Sequence, residues 1–337
     1  MPVMSYREAL TDAYRLAMRK DPRVCILGED VAGGAGASGQ RNIGGIFGPW
    51  PDFLPEFGEQ RMIDTPISES AIVGTAVGAA LCGLRPVAEI MFSDFLGLCL
   101  DQIWNQAAKF RYMFGGQTHC PVVIRVNTGA GMSAGSQHSQ TGYGMMTNIP
   151  GLKVVVPASA ADVKGLVMTA IDDPDPVIIF DHKALFTDKG EVPEGEFYLP
   201  FGEAELVREG DDCTIVAISR MVKFSQKAAD ALEKDGITVD LVNPRTLSPL
   251  DEETILESVE HTGRLVVVDE SNPRCSAATD IAALVASKGF ASLKAPIELI
   301  TAPHTPPPFA PNLERAYLPG PKDIEAAVRR TLKGRTT

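Results

Sequence analysis

The stretch Asp64-Thr-Pro-Ile-Ser-Glu69-Ser-Ala-Ile-Val-Gly74-Thr-Ala-Val-Gly78 joins the end of a strand to the start of a helix across a proline-containing turn. Residues 58–63 lead into the strand end, and the small, apolar run after Glu69 predicts a helix over 70–82. Gly74, Gly78 and Cys82 recur every four residues and so share one face of that helix. A face of such small residues lets a second helix approach closely. A carboxylate on its lip, Glu69, can meet a ligand held between two subunits. The residue types alone leave a plainer reading open, a first-turn glutamate stabilised by the helix macrodipole.

The same strand-to-helix grammar extends in both directions. Upstream, Ser5-Tyr-Arg-Glu8 reads as a capping box opening a helix that Asp21-Pro22 stops. Apolar strands are expected at 23–27, 86–92, 121–126, 152–156 and 177–181, and helices at 94–114 and 159–172. Residues 183–201 are polar, contain glycine and proline, and read as a linker. Beyond them strands at 213–218, 238–242, 265–269 and 297–301 alternate with helices at 222–234, 251–260, 277–288 and 322–332. Alternation with near-continuous apolar strands implies parallel sheets covered on both faces. The expected fold class is therefore α/β, with two domains of largely parallel sheet: 1–182, then the linker 183–201, then 202–337.

Length and composition agree. The 337 residues exceed what a single core of about 250 residues accommodates. Acidic residues number 43 against 31 basic ones, a net charge of −12 that repels phosphate backbones and excludes a nucleic-acid partner as the expectation. The six cysteines are scattered without a CxxC pair, which suits reduced thiols in a cytoplasmic protein. No secretory signal is visible at the N-terminus. The best membrane candidate, 71–84, is too short to span a bilayer.

Three further segments carry polar chemistry. Gly34-Ala-Gly36-Ala-Ser-Gly39 formally matches a dinucleotide fingerprint, but it neither follows a strand directly nor opens a helix, so a flexible or ligand-covering loop is the better reading. His138 lies in a Gly/Ser loop, Gly129-Ala-Gly-Met-Ser-Ala-Gly-Ser-Gln-His-Ser-Gln140, from which it can reach a ligand and move protons near neutral pH; a surface histidine is the alternative. Ala170-Ile-Asp-Asp-Pro-Asp175 puts three acids at a helix C-terminus, where solvent or a cation must relieve them.

Glu69 followed by Gly74-x-x-x-Gly78 resembles the pyrimidine-side motif of thiamine-diphosphate enzymes. With Gly28-Glu-Asp-Val31, Gly83-Leu-Arg-Pro86, Gln137-His-Ser-Gln140, Pro150-Gly-Leu-Lys-Val154 and Arg245-Thr-Leu-Ser-Pro249, almost the whole chain resembles one family. That family is the beta subunit of the thiamine-dependent component of 2-oxo acid dehydrogenase complexes. The segments 28–37, 105–116 and 262–270 look most like its acetoin dehydrogenase branch. Thr75 departs from the motif, which usually carries a larger apolar residue there, with a local packing consequence expected.

The resemblance implies a pyrimidine-binding domain followed by a transketolase C-terminal-like domain. It implies that Glu69 hydrogen-bonds the pyrimidine of the cofactor, that Phe95 packs on its ring, that Ile67, Met91 and Glu29 also belong to the cofactor pocket, and that His138 serves substrate and lipoyl intermediates as a proton donor or stabiliser. In related beta subunits a structural potassium ion sits at the positions matching Val122, Ala170, Ile171, Asp173 and Asp175, largely on backbone carbonyls. Asp175 stands where Asn is common.

The chain has no Gly-Asp-Gly motif, the pattern that holds Mg²⁺ and the diphosphate in this superfamily. In two-chain members that half belongs to the alpha subunit. The resemblance thus implies a split active site in an assembly of two alpha and two beta chains. Such an assembly cleaves acetoin, or decarboxylates pyruvate or a branched-chain 2-oxo acid, and passes the acyl group to a lipoyl-bearing dihydrolipoamide acyltransferase core. The competing expectations are a non-catalytic docking subunit and a nicotinamide dehydrogenase.

Overall fold

The computed structural model describes residues 1–33, 47 and 49–333. The glycine motif at 34–39 lies outside them. The chain divides into two compact units, Met1–Thr128 with Met146–Phe201, and Gly129–Met145 with Gly202–Thr337.

The first unit is built on parallel strands in the order Lys153–Val155, Val177–His182, Val123–Thr128, Arg85–Ile90, Val24–Gly28 and Met62–Asp64. The central strands are buried along their whole length, as expected of strands covered on both faces. Tyr6–Lys20 and Ala160–Asp172 are helices that pack on one another over this sheet. The expected capping box is present, with the Ser5 hydroxyl accepting from Glu8 N–H and the Glu8 carboxylate accepting from Ser5 N–H at 2.7 Å. Ser159 caps the second helix by accepting from Asp162 N–H at 3.0 Å. The helix after the proline turn runs Glu69–Leu81, one residue earlier at each end than the sequence suggests.

The single long helix expected over 94–114 is instead three short pieces: a 3₁₀ turn Ser93–Cys99, a π segment Gln102–Ala107 and a helical turn Phe110–Met113. Gly97 weakens the helix. The Ser70 hydroxyl bonds the Leu98 carbonyl at 2.8 Å, tying this segment to the start of the Glu69–Leu81 helix.

The linker 183–201 also takes a different form. Lys189–Glu191 is a strand pairing antiparallel with Val3–Ser5. Leu199 N–H donates to Gly165 O at 3.2 Å, and the Thr169 hydroxyl donates to Leu199 O at 2.8 Å. The segment is thereby bound into the first unit. Gly165 makes this approach possible, because a Cβ there would lie 2.6 Å from Leu199 Cγ.

The second unit has a five-stranded sheet in the order Glu298–Ile300, Leu265–Val268, Cys213–Ala217, Val239–Asn243 and Glu205–Arg208. The first four strands are parallel, and Glu205–Arg208 runs antiparallel at the edge with a bulge at Leu241/Val242. Helices Met221–Glu233, Glu252–Thr262, Ala277–Lys288 and Pro321–Lys333 accompany it. The Gly129–Met145 loop groups with this unit rather than with 1–182, because carboxylates of the C-terminal half hold its backbone.

Among the described residues, no helix is long and apolar enough to cross a membrane.

Candidate active site

In a parallel sheet the loops after the strands share one edge, and ligands bind there. Four of the expected residues occupy that edge of the first unit. Glu29 follows Val24–Gly28, Glu69 opens the helix after Met62–Asp64, and Met91 and Phe95 follow Arg85–Ile90. Glu69 is buried, 7 % exposed, and Met91 is 5 % exposed. Phe95 is half-buried and meets Phe92 edge-on at 5.7 Å between ring centroids. Ile67 is different: it is 74 % exposed on the turn before Glu69, so within this chain it lines nothing.

Hydrogen bonds fix the turn that carries Glu69. Thr65 N–H donates to Gly28 O at 3.0 Å, and Asp64 Oδ1 accepts from Ala32 N–H at 2.6 Å. The Thr65 hydroxyl is buried without a partner. Burial raises the Glu29 carboxyl above its ordinary value, and the negative charges of Asp30, Glu69 and Glu89 raise it further. Burial, with the Glu69 charge added, pushes the Cys99 thiol up to about 12. The edge is thus electronegative and favours a protonated or cationic group. A buried carboxylate, an aromatic face and an orphaned hydroxyl suit a flat, apolar, nitrogen-containing ring such as the pyrimidine end of thiamine diphosphate. Nothing in this chain matches the Gly-Asp-Gly motif for its other end.

Beneath the edge lies a charged cluster that the sequence reading missed. The fully buried Arg125 donates to Asp181 Oδ2 at 2.7 Å, to Glu89 Oε2 at 2.8 Å and to Asn127 Oδ1 at 3.0 Å. Trp50 Nε1 and the Tyr6 hydroxyl complete it, each at 2.6 Å, on Glu89 and Asp181. Burial raises both carboxyls and Arg125 lowers them again, burial prevailing. Asn127 Nδ2 donates to Met91 O at 2.8 Å, which links the cluster to the backbone at that edge. The available signal was a charge inside each apolar strand: Glu89 in 85–90, Arg125 in 123–128 and Asp181 in 177–182.

His138 lies in the second unit and is half-buried. Its N–H donates to Gly135 O at 3.2 Å. The loop is pinned at Ala130, whose N–H donates to Glu270 Oε1 at 2.9 Å, and at Ser136, whose hydroxyl donates to Pro307 O at 2.7 Å.

The acid-rich turn at 170–175 carries cations of its own. Asp172 meets Lys20 at 3.3 Å, Asp173 meets Lys153 at 2.7 Å and Asp175 meets Arg111. Arg85 donates to the carbonyls of Ile171 at 2.6 Å and Asp173 at 3.2 Å, and Val122 O accepts from Val177 N–H at 3.0 Å. Val122, Ala170, Ile171, Asp173 and Asp175 do come together, but much of their oxygen set is engaged by the protein's own donors. With those oxygens engaged, they offer a further potassium ion a site already partly filled by the protein's own donors.

These features define a class. Residues 3–189 match the transketolase pyrimidine binding domain and 202–324 the transketolase C-terminal domain. The chain is 54 % identical over 332 residues to the acetoin:2,6-dichlorophenolindophenol oxidoreductase subunit beta of Cupriavidus necator, covering 98 % of each. It is 52 % identical over 325 residues to the protein of that name from Bacillus subtilis, covering 96 % of this chain and 95 % of the other. Identity to the 2-oxoisovalerate dehydrogenase subunit beta of Bacillus subtilis is 40 % over 331 residues, 98 % of each. The chain belongs to this family of transketolase-type dehydrogenase beta subunits. A split gene transketolase, solved as an inactive beta4 tetramer, shares the fold with a TM-score of 0.77 at 24 % identity over 98 % of each chain.

Proposed function

We propose that this chain is the beta half of a thiamine-diphosphate-dependent acetoin dehydrogenase, completed by an alpha subunit. The observation that carries the proposal is the buried Glu69 carboxylate at the ligand-binding edge of a pyrimidine-type domain. Acetoin is favoured over other substrates because identity is 54 % and 52 % to acetoin oxidoreductase subunits and 40 % to the 2-oxoisovalerate enzyme.

When bound, thiamine diphosphate supplies a carbon nucleophile for the substrate carbonyl. Glu69 would hold a proton on the pyrimidine N1′, and Phe95 and Met91 would confine the ring. Glu29 would keep the edge electronegative, and Ile67 would reach the ring only with the alpha chain in place. His138 would give or hold a proton at the substrate oxygen as acetoin is cleaved and its acetyl group passes to a lipoyl domain. Such positioned proton groups are each worth roughly 10²–10⁴ in rate. The alpha subunit would bring the Mg²⁺ and diphosphate ligands. Two alpha and two beta chains, serving a lipoyl-bearing acyltransferase core in the cytoplasm, complete the reading.

The test is steady-state dye reduction by the chain reconstituted with its alpha partner. Acetoin should give the highest kcat/KM. A higher value for pyruvate or 2-oxoisovalerate would move the assignment to an oxidative decarboxylase, and no turnover of any of the three would leave a docking subunit.

A further inference from the structure

The second unit holds a buried carboxylate that none of the chemistry above uses. Glu314 is 3 % exposed and lies in the short helix Pro311–Tyr317. Its Oε1 accepts from Gly131 N–H at 2.8 Å. Its Oε2 accepts from Ser133 N–H at 2.9 Å and from the Ser133 hydroxyl at 3.2 Å. All three donors belong to the glycine-rich loop that carries His138.

The backbone there is unusual. Gly129, Gly131, Ser133 and Gly135 have φ of +86°, +101°, +53° and +81°. Left-handed residues at every second position turn neighbouring N–H groups into one concavity, which attracts an anion. Serine does not favour that conformation, so something must hold Ser133 in it. Glu314 supplies the anion, from 181 residues downstream of Ser133. Arg220 also holds this loop: its guanidinium donates to Ala130 O at 3.1 Å. A Cβ on Gly131 would lie 2.4 Å from the same guanidinium. The loop is therefore gripped at consecutive residues, and its last turn is closed by the bond from His138 N–H to Gly135 O.

We infer that Glu314 is a positioning residue for His138: its carboxylate fills the backbone anion cradle at 131–133 and so sets where the imidazole stands. This rests on the reading that His138 acts on substrate. A misplacement of about 1 Å in such a group costs on the order of 100-fold in rate.

The experiment uses the enzyme reconstituted with its alpha partner and compares Glu314→Gln, His138→Ala and the double variant. The amide places an N–H where a backbone donor expects an acceptor. Glu314→Gln should lower kcat by roughly 10- to 100-fold with KM for acetoin changed less than about threefold. In the His138→Ala background the same substitution should change kcat by less than about twofold, because its target is gone. Added formate should restore part of the kcat of Glu314→Ala by refilling the cradle. A full Glu314→Gln loss that persists in the His138→Ala background overturns the inference, since Glu314 would then act elsewhere. Normal kcat in Glu314→Gln beside an impaired His138→Ala also overturns it and leaves the role of His138 standing. Normal kcat in His138→Ala sinks the reading of His138 itself. If Glu314→Gln does not assemble, Ser133→Ala removes one of the three donors and carries the same double-variant comparison.

Discussion

Glu69 sits where two different demands meet. It opens a helix, where the macrodipole favours a carboxylate. It is buried at the ligand edge, and its charge contributes to raising the Glu29 carboxyl and the Cys99 thiol. A first-turn dipole role and a proton-holding role predict different outcomes for Glu69→Gln. The amide keeps nearly the same volume, so assembly with the alpha subunit should survive, as read by size-exclusion chromatography. Turnover at saturating cofactor should nevertheless fall by roughly 10²-fold or more, because added cofactor cannot restore the lost proton site. Turnover near that of the parent enzyme in an intact assembly would return Glu69 to the first-turn dipole role. Arg125 behaves differently. Its two carboxylate partners are fully buried with it, and losing one partner of such a cluster costs about 3–5 kcal/mol. Its contribution is to join side chains of three neighbouring strands.

Among the elements, the segment 183–201 shows how one small residue decides a packing. Gly165 lies in the middle of Ala160–Asp172, and a Cβ there would meet Leu199 Cγ at 2.6 Å and Phe197 Cε1 at 2.9 Å. Gly165→Ala gains helix propensity of about 1 kcal/mol but overpacks a contact worth about 1–3 kcal/mol. Net destabilisation is expected, as a lower midpoint in urea, with faster proteolysis near 197–199; an unchanged or higher midpoint would show that the contact yields freely. The turn at 170–175 gives a second test at this scale. Its acids already meet Lys20, Lys153 and Arg111, and Arg85 occupies two of its carbonyls. Melting temperatures in potassium and in a bulky organic cation, at equal ionic strength, should therefore agree. A higher value in potassium would show that the carbonyls still ligate an ion and would restore the potassium site that the family resemblance implies.

For the molecule as a whole, the division of labour between chains is the main consequence. On the proposed reading this chain supplies the pyrimidine side of the site, and it carries no Gly-Asp-Gly motif for a diphosphate, so titration calorimetry with thiamine diphosphate and Mg²⁺ should detect at most weak binding to the isolated protein. Addition of the alpha chain should tighten binding by 100-fold or more, on the order of 3 kcal/mol. Tight binding to the isolated chain would place the diphosphate ligands within it and remove the argument for a split site.

The sequence by itself determined the α/β class, two parallel-sheet units and the Ser5–Glu8 capping box, and it carries the motif by which Glu69, Met91 and Phe95 resemble pyrimidine-side residues. Those features are local: a period, a cap or a motif is written within a few consecutive residues. The tertiary structure decided the rest. It broke the expected helix over 94–114 into three pieces, with Ser70 holding the Leu98 carbonyl beside Gly97 at the end of the first. It bound 183–201 into the first unit through Gly165, and it took the Gly129–Met145 loop into the second. It assembled Glu89, Arg125 and Asp181 from three strands, and it brought Glu314 to a backbone cradle 181 residues away. Each of these joins residues distant in the chain. A buried charge or a left-handed serine is tolerated only because a specific partner is already there, and the identity of that partner is a property of the folded arrangement rather than of any local stretch.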